Sequence, residues 1–171
     1  MDDAAARVTA QVERLEAIEE IKQLKHRYWR ACDAKDPDGF RDSFIASGAV
    51  IDYGPLGRFD DAAPMVEIFR RFALARADGR YAVLDMHHGT HPEIELTGRD
   101  SARGRWSLRF RQIDTVGRTE TVSVGEYDDE YVRESGHWRM SVCRFTQRWS
   151  LTRPLGDDAA IREGDFCKPG E

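Results

Sequence analysis

Residues 101–114 read SARGRWSLRFRQID. Ala102, Gly104, Trp106, Leu108 and Phe110 fall on one side of this stretch, and Arg103, Arg105, Ser107, Arg109 and Arg111 on the other. A period of two is the mark of a strand with one face buried. The arginine row suits the solvated or subunit-facing side of a sheet better than a phosphate track, because the next strand supplies Glu126, Asp128 and Glu130 as cross-strand partners. Turn-like segments bracket the stretch. TGRD (97–100) separates it from YAVLDMHHGTHPEIEL (81–96), and TVGRT (115–119) leads to ETVSVGEYDDEYVRE (120–134). SGH (135–137) then leads to HWRMSVCRFTQRWSL (137–151). Consecutive hairpins of this kind build a curved antiparallel meander.

Upstream the pattern is helical. In residues 8–34, Ile18, Ile21, Leu24, Tyr28, Trp29 and Cys32 share one half of a helical wheel. DAKDPDGF breaks this helix at Pro37 and starts a short second one that carries Phe40 and Phe44. AVIDYGPLGRF (49–59) reads as a strand, a Gly/Pro turn and a second extended piece. DDAAPMVEIFRRFALARAD (60–78) is expected to form a third helix with Pro64 in its first turn, a stripe of Met65, Ile68, Phe69 and Phe72, and Gly79 as its stop. Helices followed by long strands give an α+β fold with the helices on one sheet face. Residues 1–152 are expected to form a single domain and 153–171, rich in Gly, Pro and charge, a loose tail.

Composition narrows the function. With 40% hydrophobic residues and a net charge of −5, the chain is expected to bind no nucleic acid. It has no apolar run of membrane-spanning length and no signal-peptide core, so a cytoplasmic protein is expected. Cys32, Cys143 and Cys167 lack the spacing of a zinc site or a disulfide framework. Three histidines crowd the strand at 81–96: His87, His88 and His91. An extended strand separates alternate side chains by about 7 Å. No second ligand motif accompanies the histidines, so a metal site is not expected. Periodicity alone leaves open which histidine faces inward. Leu84 and Met86 share a face with His88, while Asp85 and Gly89 share one with His87.

The helix end YWRACDAKD, the strand MHHGTHPEIEL and the final pair GEYDDEYVRESGHWRM together resemble the SnoaL-like branch of the nuclear transport factor 2 superfamily, over roughly residues 14–150. The resemblance implies a cone-shaped NTF2-like fold, in which a strongly curved, mostly antiparallel sheet wraps a long N-terminal helix and two shorter ones around an apolar pocket. It also implies acid–base chemistry without a cofactor. In the dehydratase and dehydrochlorinase branches a helix Asp orients a strand His that abstracts a proton, and these positions match Asp33 and His87. The dehydratases carry a pocket Tyr at the position of Tyr28. Family register thus favours His87 over His88.

The expected catalytic set is His87, Asp33 and Tyr28. The expected substrate contacts are His88, His91, Trp106, Phe110, Tyr53, Tyr127 and Arg144, the last pointing inward unless a bulge turns it out. These residues imply a lyase or isomerase of dehydratase type, with no cofactor, acting on a hydrophobic, polycyclic or terpenoid small molecule. A non-catalytic carrier of the same ligand and a β-subunit-like partner of a ring-hydroxylating dioxygenase are the alternatives. A homodimer is expected, with a trimer as the other possibility, formed through an outer sheet face that includes Val122, Val124 and the arginines.

Overall fold

The computed structural model describes residues 3–164. Helix α1 (Asp3–Asp33) is followed by α2 (Pro37–Asp42), strand β1 (Val50–Asp52), a 3-10 turn at 54–56 and β2 (Arg58–Phe59). Helix α3 (Ala62–Ala73) precedes the short strands β3 (Arg76–Ala77) and β4 (Arg80–Tyr81). Four long strands complete the fold: β5 (Val83–Leu96), β6 (Ser101–Asp114), β7 (Thr119–Glu134) and β8 (His137–Pro154). The main sheet runs β2-β1-β8-β7-β6-β5 and is antiparallel except where β1 lies beside β8. Register shifts between Thr90 and Glu93, Val124 and Gly125, and Glu130 and Tyr131 mark bulges. Bulges bend strands and raise their twist, and here they curl the sheet around α1.

At 1.5 Å per residue α1 is about 46 Å long. Its first half, residues 3–16, is exposed, while its second half buries Ile21, Leu24, Tyr28, Trp29 and Cys32 against the sheet. The helix ends where Lys35 takes a left-handed conformation (φ 60°) and Asp36 N donates back to Ala31 O at 2.8 Å. Asp36 then caps α2, accepting from Asp38 N and Gly39 N, with Pro37 in the first turn. Strand β5, at the sheet edge, passes flat across Trp29. A Cβ on Gly89 would overlap the Trp29 ring, so only glycine allows this approach.

The third helix is shorter than its sequence suggests. It stops at Ala73, and ARADGRY turns back as the β3–β4 hairpin with Asp78 (φ 50°) and Gly79 (φ 80°) at its tip. Two consecutive positive φ values at Asp-Gly are those of a type I′ turn, which outweighs continued helix periodicity. The C-terminal segment also departs from expectation. Arg153 and Pro154 belong to β8, and Arg118 bonds the carbonyls of Gly156 and Ala159. Residues 165–171 of the expected tail, Cys167 among them, lie outside the described residues.

Charge is also built into the core. Lys25 and Asp129 have fully buried side chains and pair at 2.8 Å between α1 and β7. The Lys25 ammonium lies 3.6 Å from the Tyr127 ring centroid and 4.6 Å from that of Tyr28. Its other neighbours are the sulfurs of Cys143 and Met140. Tyr131 Oη donates to Asp129 Oδ2 at 2.8 Å and in turn accepts from Trp106 Nε1 at 2.9 Å. Burial pushes the Asp129 carboxyl up, against the pull of Lys25.

Removing one member of such a pair leaves an uncompensated buried charge. Lys25→Met is therefore expected to lower unfolding free energy by about 3–5 kcal/mol. Adding Asp129→Leu should recover most of that loss. Urea denaturation of the single and double variants checks this; a Lys25→Met loss below about 1 kcal/mol would contradict the assignment.

Candidate active site

The last turn of α1 places Asp33 against the edge of β5. Asp33 Oδ1 accepts from His87 Nδ1 at 2.6 Å, and its two oxygens lie 3.1 and 3.2 Å from the His87 backbone N. One carboxylate thus satisfies an edge-strand N–H and orients the imidazole. A carboxylate partner requires Nδ1 to carry the proton, which leaves Nε2 as the basic nitrogen. The His87 side chain is 13% exposed and lines a cavity of about 370 Å³ between α1, α3 and the sheet. Its ring packs on Phe110, with centroids 4.8 Å apart.

Tyr28 and Tyr53 also line this cavity, and their hydroxyls lie 2.6 Å apart. Burial pushes both phenols well above their usual range, so both keep their protons. When Tyr53 donates to Tyr28, the Tyr28 proton is left for a ligand oxygen; when Tyr28 donates, the Tyr53 proton turns to Cys143. Tyr53 Oη also reaches Cys143 Sγ at 3.8 Å, and burial pushes that thiol up to about 12. Such a thiol is no nucleophile at neutral pH. Opposite the sheet, α3 presents Met65, Ile68, Phe69 and Phe72, while Pro55 and Leu56 close one side. Phe72 and Leu56 are each 59% exposed, as expected for residues at a mouth.

Among the expected contacts, Phe110, Tyr53 and Tyr127 lie in the cavity wall. Four others lie elsewhere. His88 faces outward beside Arg109, because β5 alternates with His87 inside. His91 (φ 52°) sits exposed in the bulge before Pro92 on the edge strand. Trp106 is buried below the cavity, edge-on to Trp29 at 5.2 Å. Arg144 points outward, 3.9 Å from Glu130, because Val142 pairs with Glu130 but Met140 with Tyr131. Ser141 is the extra residue, and it moves Cys143 and Phe145 to the inner face.

Several polar residues at or below the site escaped the sequence reading. Lys25 follows Ile21 by four residues and precedes Tyr28 by three, so its helical phase puts it on the buried stripe. Asp129 alternates with Tyr127 and Tyr131. Lys35 pairs with Asp85 at 2.6 Å, one strand alternation from His87, and no pattern in the sequence pointed to it. Among the described residues no group of three or more His, Cys, Asp or Glu side chains is placed to hold a metal ion, and no helix is long and apolar enough to cross a membrane.

Similar folds occur in several solved structures. A candidate scytalone dehydratase from Novosphingobium aromaticivorans superposes with a TM-score of 0.71 at 16% identity, covering 89% of this chain and 93% of that one. For the hexachlorocyclohexane dehydrochlorinase LinA-type3 from Novosphingobium barchaimii the TM-score is 0.73 at 16% identity, covering 90% and 99%. A candidate aromatic ring hydroxylase from N. aromaticivorans gives 0.70 at 20% identity, covering 81% and 94%. At such identities the likeness is one of fold, and this fold carries several chemistries. The family model for the SnoaL-like domain matches residues 13–144. With the long helix inside a curved sheet and the cavity between them, that match makes the chain a member of the SnoaL-like family, in the NTF2-like superfamily.

Proposed function

We propose that the chain is a cofactor-independent lyase or isomerase of dehydratase type, acting by proton abstraction on a hydrophobic small molecule. The observation that carries this reading is the Asp33–His87 pair opening onto an apolar cavity that also holds a protonated tyrosine pair. In a dehydration, His87 Nε2 takes a proton from carbon. The electrons of that C–H bond become the new C=C bond, and the C–O bond to the leaving hydroxyl breaks. The imidazolium returns its proton to the departing hydroxide, which leaves as water. Asp33 holds the ring and stabilises the imidazolium. Tyr28, bonded to Tyr53, donates to the oxygen on which charge develops. In an isomerisation the same base moves the proton along the carbon frame while the tyrosine pair steadies the enolate. The dehydratase and dehydrochlorinase among the structural relatives are eliminating enzymes by name, which accords with this reading.

The three groups act as a unit, so their losses should not add. Turnover should be assayed on small hydrophobic alcohols and ketones, beginning with any compound that co-purifies. His87→Ala and Asp33→Asn are each expected to lower kcat by about 10²–10⁴-fold, and Tyr28→Phe by less. The double variant should be little worse than His87→Ala alone. Full activity in His87→Ala would overturn the assignment of the base, and a wild type that binds such compounds without turning any over would return the cavity to a carrier role.

The outer sheet face supports a homodimer. Val122 and Val124 lie there beside exposed Trp149 (54%) and Leu151 (58%), and Met86 (52%) continues the patch onto β5. Arg109 and Arg111 sit among them. Light scattering at micromolar protein should give twice the chain mass, and Trp149→Glu should reduce it to one. A mass of three chains would point to a trimer, and a monomeric wild type would remove the proposal.

A further inference from the structure

The cavity is chemically two-sided. Every α3 residue that lines it is apolar, whereas the sheet wall carries Asp85, Gln112 and Ser123 beside His87. Asp85 and Gln112 face each other across the β5–β6 ladder, as His87 faces Phe110 and Phe110 faces Ser123 on the next rung. Asp85 and His87, alternate residues on one strand face, are about 7 Å apart along β5. Lys35, its side chain 1% exposed, pins Asp85 through Oδ1. Among the described residues that is the only hydrogen bond of the Asp85 side chain, and the side chains of Gln112 and Ser123 make none. Asp85 and Gln112, partners on one rung, therefore line the cavity with bonding capacity unspent.

We propose that Asp85 and Gln112 form a second polar subsite that recognises a neutral hydroxyl group. The ligand is then an apolar molecule with two oxygen functions: one at His87, Tyr28 and Tyr53, and a hydroxyl about one strand alternation away. A carboxylate only accepts hydrogen bonds, so the group it meets must donate. Lys35 balances the Asp85 charge, so a cationic ligand gains no net attraction and a hydroxyl fits better. Gln112 can donate to the oxygen of that hydroxyl. A site built to bond a hydroxyl rejects the analogue that lacks it, because its own polar groups are then left unpaired. The first pole of this ligand rests on the function proposed above; the second does not need the imidazole.

Three probes separate the contributions: para-hydroxybenzylacetone, its methyl ether, and unsubstituted benzylacetone. All carry the same ketone and apolar frame, and only the first can donate from its far end. Isothermal titration calorimetry of the wild type should give a Kd for the phenol about 10-fold or more below that of either analogue. Asp85→Asn should reduce the preference to about 3-fold or less. Because that change strands Lys35, Gln112→Leu serves as a second variant with no internal partner to lose, and it should shrink the preference while leaving the melting temperature near wild type. A merely structural Asp85 would change stability and leave the preference intact. Equal binding of the three probes to the wild type, an unchanged preference in both variants, or no binding of any probe would overturn the subsite. In His87→Ala the preference should persist. If it persists while that variant is fully active, the catalytic assignment fails and the subsite stands.

Discussion

The Lys25–Asp129 ion pair is the constraint around which the interior is arranged. Two fully buried charges are tolerable only if they are matched. Here the ammonium meets the carboxylate and two ring faces, while Asp129 Oδ2 takes both Lys25 and Tyr131 and Oδ1 has no hydrogen bond among the described residues. The match fixes α1 in both rotation and translation against β7 and β8. It also accounts for the aromatic density beneath the cavity. The Tyr127 and Tyr28 ring faces solvate the ammonium, and Tyr131 bonds the carboxylate, so the tyrosines that floor the cavity are held by an interaction that never meets a ligand.

From that anchor the helix reaches β5 with two parallel ties, Asp33 to His87 and Lys35 to Asp85. The left-handed turn at Lys35 lets a residue two positions past Asp33 still face the same strand. The two ties have opposite polarity, acid on helix and base on strand in one, the reverse in the other. They set a basic nitrogen and an acceptor carboxylate side by side on the sheet wall. The apolar wall comes from α3, a separate element, so the shape of the cavity and its reactive groups belong to different parts of the chain.

Much of this was legible in the sequence where local pattern and tertiary demand agree. The alternation at 102–111 runs straight through β6, and the stripe of the first helix is the one that α1 buries. His87 and Asp33 could be paired only through resemblance, because neither periodicity nor spacing reveals a contact between residues 54 apart in sequence. Bulges were the main obstacle. The extra residue at Ser141 reverses the side chains from there to the second bulge at Arg148, which moved Arg144 out and Phe145 in. Depth is likewise invisible to alternation. Trp106 and Phe110 point the same way, but only Phe110 reaches the cavity. Lys25 and Asp129 broke the rule that charges stay outside, although their phase along helix and strand matched the buried faces.

The meeting of Gly89 and Trp29 couples two positions that share no chemistry with a ligand. The flat indole and the bare strand set how closely helix and edge strand lie, and hence whether the carboxylate one helical turn further on can touch the imidazole two residues earlier on β5. Any side chain at 89 would have to be matched by a smaller residue at 29, so these positions should change together or not at all. A lineage could remodel the α3 wall for a new ligand without disturbing this spacer, whereas drift at the spacer would silence the base with the cavity still open.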